Sequence, residues 1–356
     1  MKTVVSMLQP INADQIKPCL CEPKTFGREL LTWFAGETHA HSDESTRRGW
    51  NYFEGLYSPQ EIAAYYGNLG CQFVCITDHS SKPGDPHAIL LDPRIGRSLS
   101  LESTLISAFN RLPANGKRTF VFSGVEANIL FGEQGPCLDI EPANTIINVL
   151  DLIIASRHKI AQEKVPRAIQ ASLLFAAENP SVCIIGHPDR YARRDDSTDD
   201  EYRREYQAIW PAILETMEKN GKAFEINLTS QPSKKLVKMA SERKKLLFSI
   251  GFDAHEFRQF NQPISTEVER AKAAWAKGDD THNETLIKYK LARLNQGPGL
   301  KVLSRLSRWV KFLKDCDVTR DRVVNSSLER FIRFLVERGR KTENIALIAE
   351  RAGIHL

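Results

Sequence analysis

The sequence has no long hydrophobic run. No segment approaches the ~18–20 consecutive apolar residues that a membrane-spanning helix needs, and this excludes a membrane span. The first residues, up to Pro10, also lack the apolar run of a secretory signal peptide. We therefore expect a cytoplasmic protein that does not associate with membranes.

Cysteine is sparse, and its placement does not indicate disulfides. The seven cysteines are an odd number, and Cys71, Cys75 and Cys183 lie inside apolar runs. Buried free thiols in a reducing compartment explain this distribution better than disulfides do. The cysteines therefore agree with a cytoplasmic location.

Charge of one sign is not in large excess either. The formal net charge is +5 over 356 residues, and the stretch from Leu300 to Leu356 alone has 13 Lys and Arg against 7 Asp and Glu. The rest of the chain is therefore close to neutral. Any preference for polyanions is expected in this C-terminal stretch or in local pockets.

The sequence does contain a regular alternation of strands and helices. Seven short apolar runs, many of them β-branched or aromatic, are typical of buried strands. Helical patterns lie between them, over Ser58–Leu69, Ser98–Leu112, Glu163–Glu178, Asp200–Lys219 and Ser233–Lys244. This alternation predicts an α/β fold with a parallel sheet and with helices outside the sheet.

Every predicted strand ends in a residue that can bind a metal or a ligand. The first ends at His39 and His41, which are two residues apart and therefore point to the same face of a strand. The later strands end at Asp78–His79, Glu126, Arg157–His158, His187–Asp189, Glu225–Asn227 and Asp253–His255. In a (β/α) barrel the active site collects at the carboxyl ends of the strands. This mixture of imidazoles and carboxylates favours Zn, Mn or Fe over Ca or Mg.

The end of the chain follows a clear break at Gln296–Leu300, which reads Gln-Gly-Pro-Gly-Leu. We predict a barrel over residues 1–296 and a basic helical extension over residues 297–356. Residues Thr342–Ile354 are similar to the first helix and turn of a helix-turn-helix, but no reading helix follows, so sequence-specific DNA reading is not expected. The basic helices either guide a nucleic-acid substrate or pack on the barrel or on a partner chain.

Six short motifs occur in the order and spacing of a known family. They are His39-x-His41, Thr77-Asp78-His79, Gly124-Val-Glu126, Ser156-Arg-His158, Gly186-His187-Pro188 and Asp253-x-His255. Together they resemble the metal motifs of the polymerase and histidinol phosphatase (PHP) superfamily, over about residues 31–260. The resemblance implies a distorted (β/α)7 TIM-like barrel, here with a C-terminal helical extension. It also implies a centre of two or three divalent metal ions that hydrolyses phosphoesters.

The resemblance implies a role for each ligand. Glu126 would bridge the ions, with His39, His41 and Asp253 on one ion, His158 and His187 on a second, and His79 and His255 on a third. The family commonly has Asp where this chain has Glu37, and a third-site ligand that is missing here. Either Asp43 supplies that ligand from an unusual offset, or the third site is weakened.

The expected reaction is hydrolysis by metal-activated hydroxide, with Asp253, His255, Glu126 and Arg190 as the catalytic residues. Arginine suits the side of the phosphate that faces away from the metals, because its planar fork matches phosphate. Arg190 is the first candidate, and Arg157, Lys159 and Arg193 are further ones. Asp78 is expected to orient a ligand.

The predicted function is therefore that of a metal-dependent phosphoesterase, a phosphatase or a phosphodiesterase. Its substrate is a nucleotide, an oligonucleotide or a small phosphorylated metabolite. One alternative is a nuclease that acts on DNA or RNA ends, with the basic tail guiding the strand; another is a non-catalytic metal-binding module. An amidohydrolase is disfavoured because the fourth strand ends at His158 and not at a lysine, and because only seven strands are predicted.

Overall fold

The computed structural model describes residues 27–43, 45, 55, 57–80, 93–112, 119–132, 135–140, 144–158, 166–190, 200–255, 265–275, 281–294 and 300–356. The strands are β1 (Gly36–Ala40), β2 (Phe73–Ile76), β3 (Phe120–Gly132), β4 (Gly135–Leu138), β5 (Leu152–Ser156), β6 (Ile184–Gly186), β7 (Ala223–Asn227) and β8 (Leu247–Gly251). The helices are α1 (Arg28–Leu31), α2 (Pro59–Asn68), α3 (Pro93–Arg111), α4 (Asn144–Ile147), α5 (Pro166–Glu178), α6 (Asp200–Ala208), α7 (Trp210–Lys219), α8 (Lys234–Glu242), α9 (Thr266–Trp275), α10 (Asn283–Leu294), α11 (Leu300–Asp315), α12 (Leu328–Glu337) and α13 (Glu343–Ala352). Within these ranges, every helix is too short or too polar to cross a membrane.

Seven parallel strands form the sheet, in the order β1-β2-β3-β5-β6-β7-β8. The strand β4 lies off this path and pairs antiparallel with the far end of β3. Helices lie between successive parallel strands, and more helices follow the last strand. The predicted α/β class and the distorted seven-stranded barrel with C-terminal helices are confirmed.

The two edge strands approach each other and nearly close the barrel. At the carboxyl ends, Ala40 and Ala254 form a parallel bridge. The His41 backbone N–H donates to the Ala254 carbonyl at 2.8 Å, and the Ala254 N–H donates to the His39 carbonyl at 3.0 Å. The seam is therefore closed at His39 and His41, at the carboxyl end of β1.

At the amino-terminal end the seam is bridged by Asn325, which follows α11. Its side-chain amide donates to the carbonyls of Gly36 and Ile250, each at 2.8 Å, and its side-chain oxygen accepts the Ile250 N–H at 3.1 Å. Its own carbonyl accepts the Ala35 N–H at 2.8 Å. One buried side chain thus joins the segments of β1 and β8 where they do not pair directly.

The last two helices cover the amino-terminal end of the barrel. Phe331 of α12 is fully buried, stacks on Phe73 at 4.6 Å between ring centroids, and meets the edge of Phe122 at 5.1 Å. These helices form one apolar cluster with the first residues of the strands, including Phe120, Leu152 and Ile184. The arrangement places α12 and α13 at the end of the barrel opposite to the predicted metal ligands.

Three local predictions differ from the structure. The first strand is shorter than the apolar run before His39, because this run begins with the one-turn helix α1 and the strand starts only at Gly36. The helix predicted over Asp200–Lys219 is two helices, because Pro211 cannot continue α6 and instead sits in the first turn of α7. The third strand continues past Glu126 to Gly132 and returns as β4.

We expect Asn325→Ala to lower the free energy of unfolding by about 3 kcal/mol, because it leaves buried backbone groups of Gly36 and Ile250 without their partner. Urea unfolding followed by circular dichroism measures this, with Asn68→Ala, an exposed position at the end of α2, as the control. An effect no larger than that of the control would show that Asn325 does not hold the seam.

Candidate metal centre

One carboxylate lies at the middle of the site. Glu126, in β3, is fully buried, and five imidazoles have a ring nitrogen within 3.5 Å of its oxygens. One oxygen, Oε2, is 2.9 Å from His79 Nδ1, 3.4 Å from His39 Nε2 and 3.5 Å from His41 Nε2. The other, Oε1, is 2.8 Å from His187 Nε2 and 3.3 Å from His158 Nε2. The five imidazoles come from four strand ends, those of β1, β2, β5 and β6, all at the carboxyl mouth of the barrel.

Asp253 is a second carboxylate at the same end of the barrel. Its Oδ1 is 3.1 Å from His255 Nε2, 3.5 Å from His41 Nε2 and 3.8 Å from His39 Nε2. Its Oδ2 accepts hydrogen bonds from Arg190 Nη1 at 2.9 Å and from Asn227 Nδ2 at 3.2 Å. The ring of His255 stacks on that of His41 at 4.4 Å and is the most exposed of the imidazoles in contact with these acids, at 23%.

Among the residues that the structure describes, three groups of side chains could each hold a metal ion, with ligand atoms within 4.8 Å of one another. They are His39, His41 and Glu126; His79, Glu126 and His158; and His41, His79 and His255. The groups share members, so Glu126, His41 and His79 each face two of them. This grouping differs in detail from the assignment that the family resemblance implies, in which His79 lies with His255 alone and His158 with His187.

Several of the atoms that could bind a metal have no hydrogen-bond partner. His39 Nε2, His41 Nε2 and Glu126 Oε2 are buried and receive no hydrogen bond. Burying polar atoms in this way costs free energy unless they gain a partner. Because these atoms converge, a shared cation fits the residues present, and Zn, Mn or Fe fits the mixture of imidazole and carboxylate.

Hydrogen bonds behind the ligands fix how the imidazoles face. His39 Nδ1 donates to Glu225 Oε1 at 2.7 Å, so its Nε2 faces Glu126. The other oxygen of Glu225 accepts the backbone N–H of His187 at 2.6 Å. Glu225 on β7 therefore orients one predicted ligand and the backbone of another, as carboxylates that hydrogen-bond to metal ligands do.

Asp78 performs a similar task next to β2. Its oxygens accept the Ser42 N–H and the Ser42 hydroxyl, each at 2.5 Å, and the Ser45 hydroxyl at 2.8 Å. The Ser45 oxygen in turn accepts the His79 backbone N–H at 3.0 Å. Asp78 thus holds the turn after His41 against His79.

Burial and close pairing with charged neighbours shift the pKa values of the groups in the site. Burial raises the pKa of Glu126, but the imidazoles of His158, His39 and His79 outweigh it and hold the pKa well below 4.5. Burial lowers the pKa of His39, but Glu225, Glu126 and Asp253 outweigh it and set it well above 6.5. For His41, burial and the neighbouring imidazoles both act downward, and the pKa lies well below 6.5.

Two predicted ligands have unusual backbone geometry. His187 has φ of 25° and Asp253 has φ of 52°, values in the left-handed region that residues with a Cβ rarely adopt. Strain of this kind persists only where the surrounding structure imposes it, and it clusters at functional sites. Both residues directly follow or lie close to a barrel strand, where the chain turns sharply to aim the side chain inward.

The remaining predicted residues are placed less centrally. Asp43 is buried, and its N–H donates to the Tyr57 carbonyl, but it belongs to none of the metal groups found among the described residues. Arg190 has 29% of its side chain exposed and contacts Asp253. Arg157 is buried. Lys159 and Arg193 lie outside the described residues.

Residues that sequence reasoning missed lie behind His158. Its Nδ1 is 2.5 Å from Asn128 Oδ1, and the amide of Asn128 donates to Asp139 Oδ2 at 2.6 Å. Asn128 is two residues beyond Glu126 on the same strand, so its face could have been predicted. Asp139 reaches this place only through the β3–β4 hairpin, and the available sequence signal for that hairpin is the pair Gly132 and Gly135, which flank two residues.

No family model matches the sequence. A "Probable phosphatase" of Caldicellulosiruptor saccharolyticus is 25% identical over 311 residues, 86% of this chain and 98% of the relative. A second one, from Caldanaerobacter subterraneus subsp. tengcongensis, is 29% identical over 198 residues, 52% of this chain and 65% of the relative, which is just under two thirds of its length. The DNA polymerase/3'-5' exonuclease PolX of Bacillus subtilis is 24% identical over 288 residues, 78% of this chain and 45% of the relative.

The chain is a homologue of the PHP-superfamily phosphatases. Among solved structures, it is similar to the histidinol phosphate phosphatase of Lactococcus lactis in complex with zinc, L-histidinol and phosphate. That similarity has a TM-score of 0.42 at 16% identity and covers 72% of this chain and 93% of the other. In this PHP homologue the imidazole and carboxylate groups lie at the strand ends described above.

We expect Glu126→Gln to weaken zinc binding by more than about 100-fold, because the substitution removes the charge that five imidazoles face. Calorimetric titration of the metal-stripped chain with Zn²⁺ measures this. Glu242→Gln, at an exposed position on α8, is the control and should bind as the wild type does. Equal affinities of the two variants would place the metal elsewhere.

Proposed function

We propose that this chain is a metal-dependent phosphatase that hydrolyses the phosphate ester of a small molecule. The observation that carries the proposal is the set of three overlapping imidazole and carboxylate groups that share Glu126, His41 and His79 at the barrel mouth. The phosphatase names of two relatives agree with it. The proposed ligands are His39, His41, His79, Glu126, His158, His187, Asp253 and His255, for two or three ions of Zn, Mn or Fe.

Divalent ions bound there would supply a hydroxide at neutral pH and would offset the charge of the phosphoryl group. The chain's own residues do the rest. Glu126 and Asp253 each keep a negative charge in a buried position, which favours the binding of cations between them and the imidazoles. Glu225 and Asp78 keep the imidazoles turned inward.

Arg190 is the proposed contact for the phosphate. Its guanidinium lies at the rim, partly exposed, with one nitrogen on Asp253. Because a guanidinium presents five N–H donors in a plane, the group can bind Asp253 and a phosphate oxygen together. This position would orient the ester while Asp253 stays fixed.

The C-terminal helices favour a small substrate over a polynucleotide. The arginines around α12 and α13 donate to main-chain carbonyls of the barrel: Arg322 to Leu246, Ser241 and Arg243, Arg338 to Asn220, and Arg340 to Ile147 and Leu150. These charges hold the closed end of the barrel together. They lie away from the mouth, where a nucleic-acid strand would have to enter.

We expect Asp253→Asn to lower the hydrolysis of p-nitrophenyl phosphate by more than about 100-fold, because it removes a ligand charge and the partner of Arg190. EDTA should abolish hydrolysis, and added Mn²⁺ or Zn²⁺ should restore it. Asp321→Asn, at an exposed position, is the control. Full activity in the Asp253 variant, or no hydrolysis of any phosphate ester by the metal-loaded wild type, would contradict the proposal.

The nuclease alternative predicts a different response to charge. We expect the variant Arg308→Ala, Lys311→Ala, Arg333→Ala, Lys341→Ala, which removes exposed positive charges of the C-terminal helices, to keep all its rates within about twofold. Rates on p-nitrophenyl phosphate, bis-p-nitrophenyl phosphate and labelled single-stranded DNA measure this at low salt. A loss confined to DNA would favour strand guidance by the tail.

A further inference from the structure

We propose that Asp139 and Asn128 form a relay that sets the tautomer of His158 and so makes its Nε2 a metal ligand. The proposal rests on the metal centre of the proposed function. It assigns a positioning role to two residues outside the ligand motifs, Asp139 at the end of the β3–β4 hairpin and Asn128 within it.

The hairpin itself places the two residues opposite each other. In its register Ile129 pairs with Leu138, so Asn128 and Asp139 form the next pair toward the barrel. The Asp139 N–H donates to the Asn128 carbonyl at 3.1 Å. The Asn128 N–H donates at 3.0 Å to the Asp139 carboxylate instead of to a backbone oxygen. The carboxylate is therefore turned inward at the point where the strand leaves the barrel.

The carboxylate fixes which way the Asn128 amide faces. Asp139 Oδ2 is 2.6 Å from Asn128 Nδ2, and both carboxylate oxygens are 2.6 Å from the Ser80 hydroxyl, which donates to them. An ionised carboxylate accepts hydrogen bonds and donates none, so the side of Asn128 that faces it has to be the NH₂. The carbonyl oxygen of Asn128 then faces away from Asp139.

That oxygen faces His158. Asn128 Oδ1 is 2.5 Å from His158 Nδ1, so Nδ1 has to carry the proton that it donates. The neutral ring then has its lone pair on Nε2, which points at Glu126 Oε1 at 3.3 Å and belongs to one of the three metal groups. Asn128 and Asp139 are 1% and 0% exposed, so water does not replace the relay.

The same logic appears at His39, where a carboxylate acts directly. Glu225 accepts from His39 Nδ1 and leaves Nε2 for the centre. His158 lies on the opposite side of Glu126 and follows β5, the strand next to β3. It reaches the carboxylate of Asp139 through the amide of Asn128. The amide of Asn128 orients the His158 ring without placing a second negative charge in contact with it.

The test is Asp139→Asn, which preserves shape. The new amide can donate to the Asn128 side chain, so Asn128 can turn its NH₂ toward His158. His158 would then be protonated on Nε2 and lose its ligand lone pair. We expect the metal-stripped full-length chain to bind Zn²⁺ roughly 10–100-fold more weakly at one site by calorimetry. Long-range ¹H–¹⁵N spectra should show His158 moving away from the Nδ1–H tautomer.

The matched control is Asp151→Asn at the closed end of the barrel. Asp151 is also fully buried and also accepts hydrogen bonds from a serine and an asparagine, Ser123 and Asn344. We expect this variant to lose stability and to keep the zinc affinity and the His158 tautomer of the wild type. An equal loss of affinity in both variants would overturn the relay, since it would show only a general effect of destabilisation.

A second variant covers the case in which Asp139→Asn does not fold. Asn128→Ala removes the acceptor of His158 and should give mixed tautomers and the same loss of affinity at one site. Wild-type affinity together with an unchanged Nδ1–H tautomer in either variant would overturn the proposal. The relay and the proposed function can fail separately: zinc binding that depends on Asp139 in a chain that hydrolyses no phosphate ester supports the relay and refutes the phosphatase.

Discussion

The structure depends on the burial of one carboxylate among imidazoles. Glu126 has no exposed surface, and its charge is retained because five histidines from four strand ends surround it. An isolated buried carboxylate would take up a proton. The cluster requires the sheet to curve until β1 and β8 meet, because His39 and His41 follow one edge strand and Asp253 follows the other. Closure of the barrel therefore also brings the charged groups of the centre together.

The closed end of the barrel makes that geometry possible. A helix that carries Phe331 fills the space between the first residues of the strands, and Asn325 bridges the two edges. At this end of the barrel, arginine side chains donate hydrogen bonds to main-chain carbonyls and are not left to water. The mouth contains His39 Nε2, His41 Nε2 and Glu126 Oε2, which are buried and receive no hydrogen bond, and two proposed ligands with left-handed backbone. Such features are expected where a site is held in a strained geometry by the rest of the fold.

Much of the fold was predictable from local pattern. The two-residue spacing of His39 and His41 fixes their common face in any strand, and parallel strands bring their carboxyl ends to one edge. The sequence could not show that β3 continues past Glu126, since Asn128 and Asp139 are ordinary polar residues until the hairpin pairs them. Composition also could not reveal the task of Arg340. A basic residue next to an amphipathic helix is usually solvated, and only the tertiary packing of the segment between α12 and α13 turns Arg340 toward carbonyls.

The central claim is that these side chains hold several cations at the barrel mouth. Anomalous diffraction at the zinc edge, from crystals of the full chain grown with Zn²⁺, tests it most directly. The account predicts two or three peaks, each within about 2.0–2.2 Å of imidazole nitrogens or carboxylate oxygens of the centre, one of them next to Glu126. A mouth without a peak, with zinc bound only at surface histidines such as His282, would contradict it.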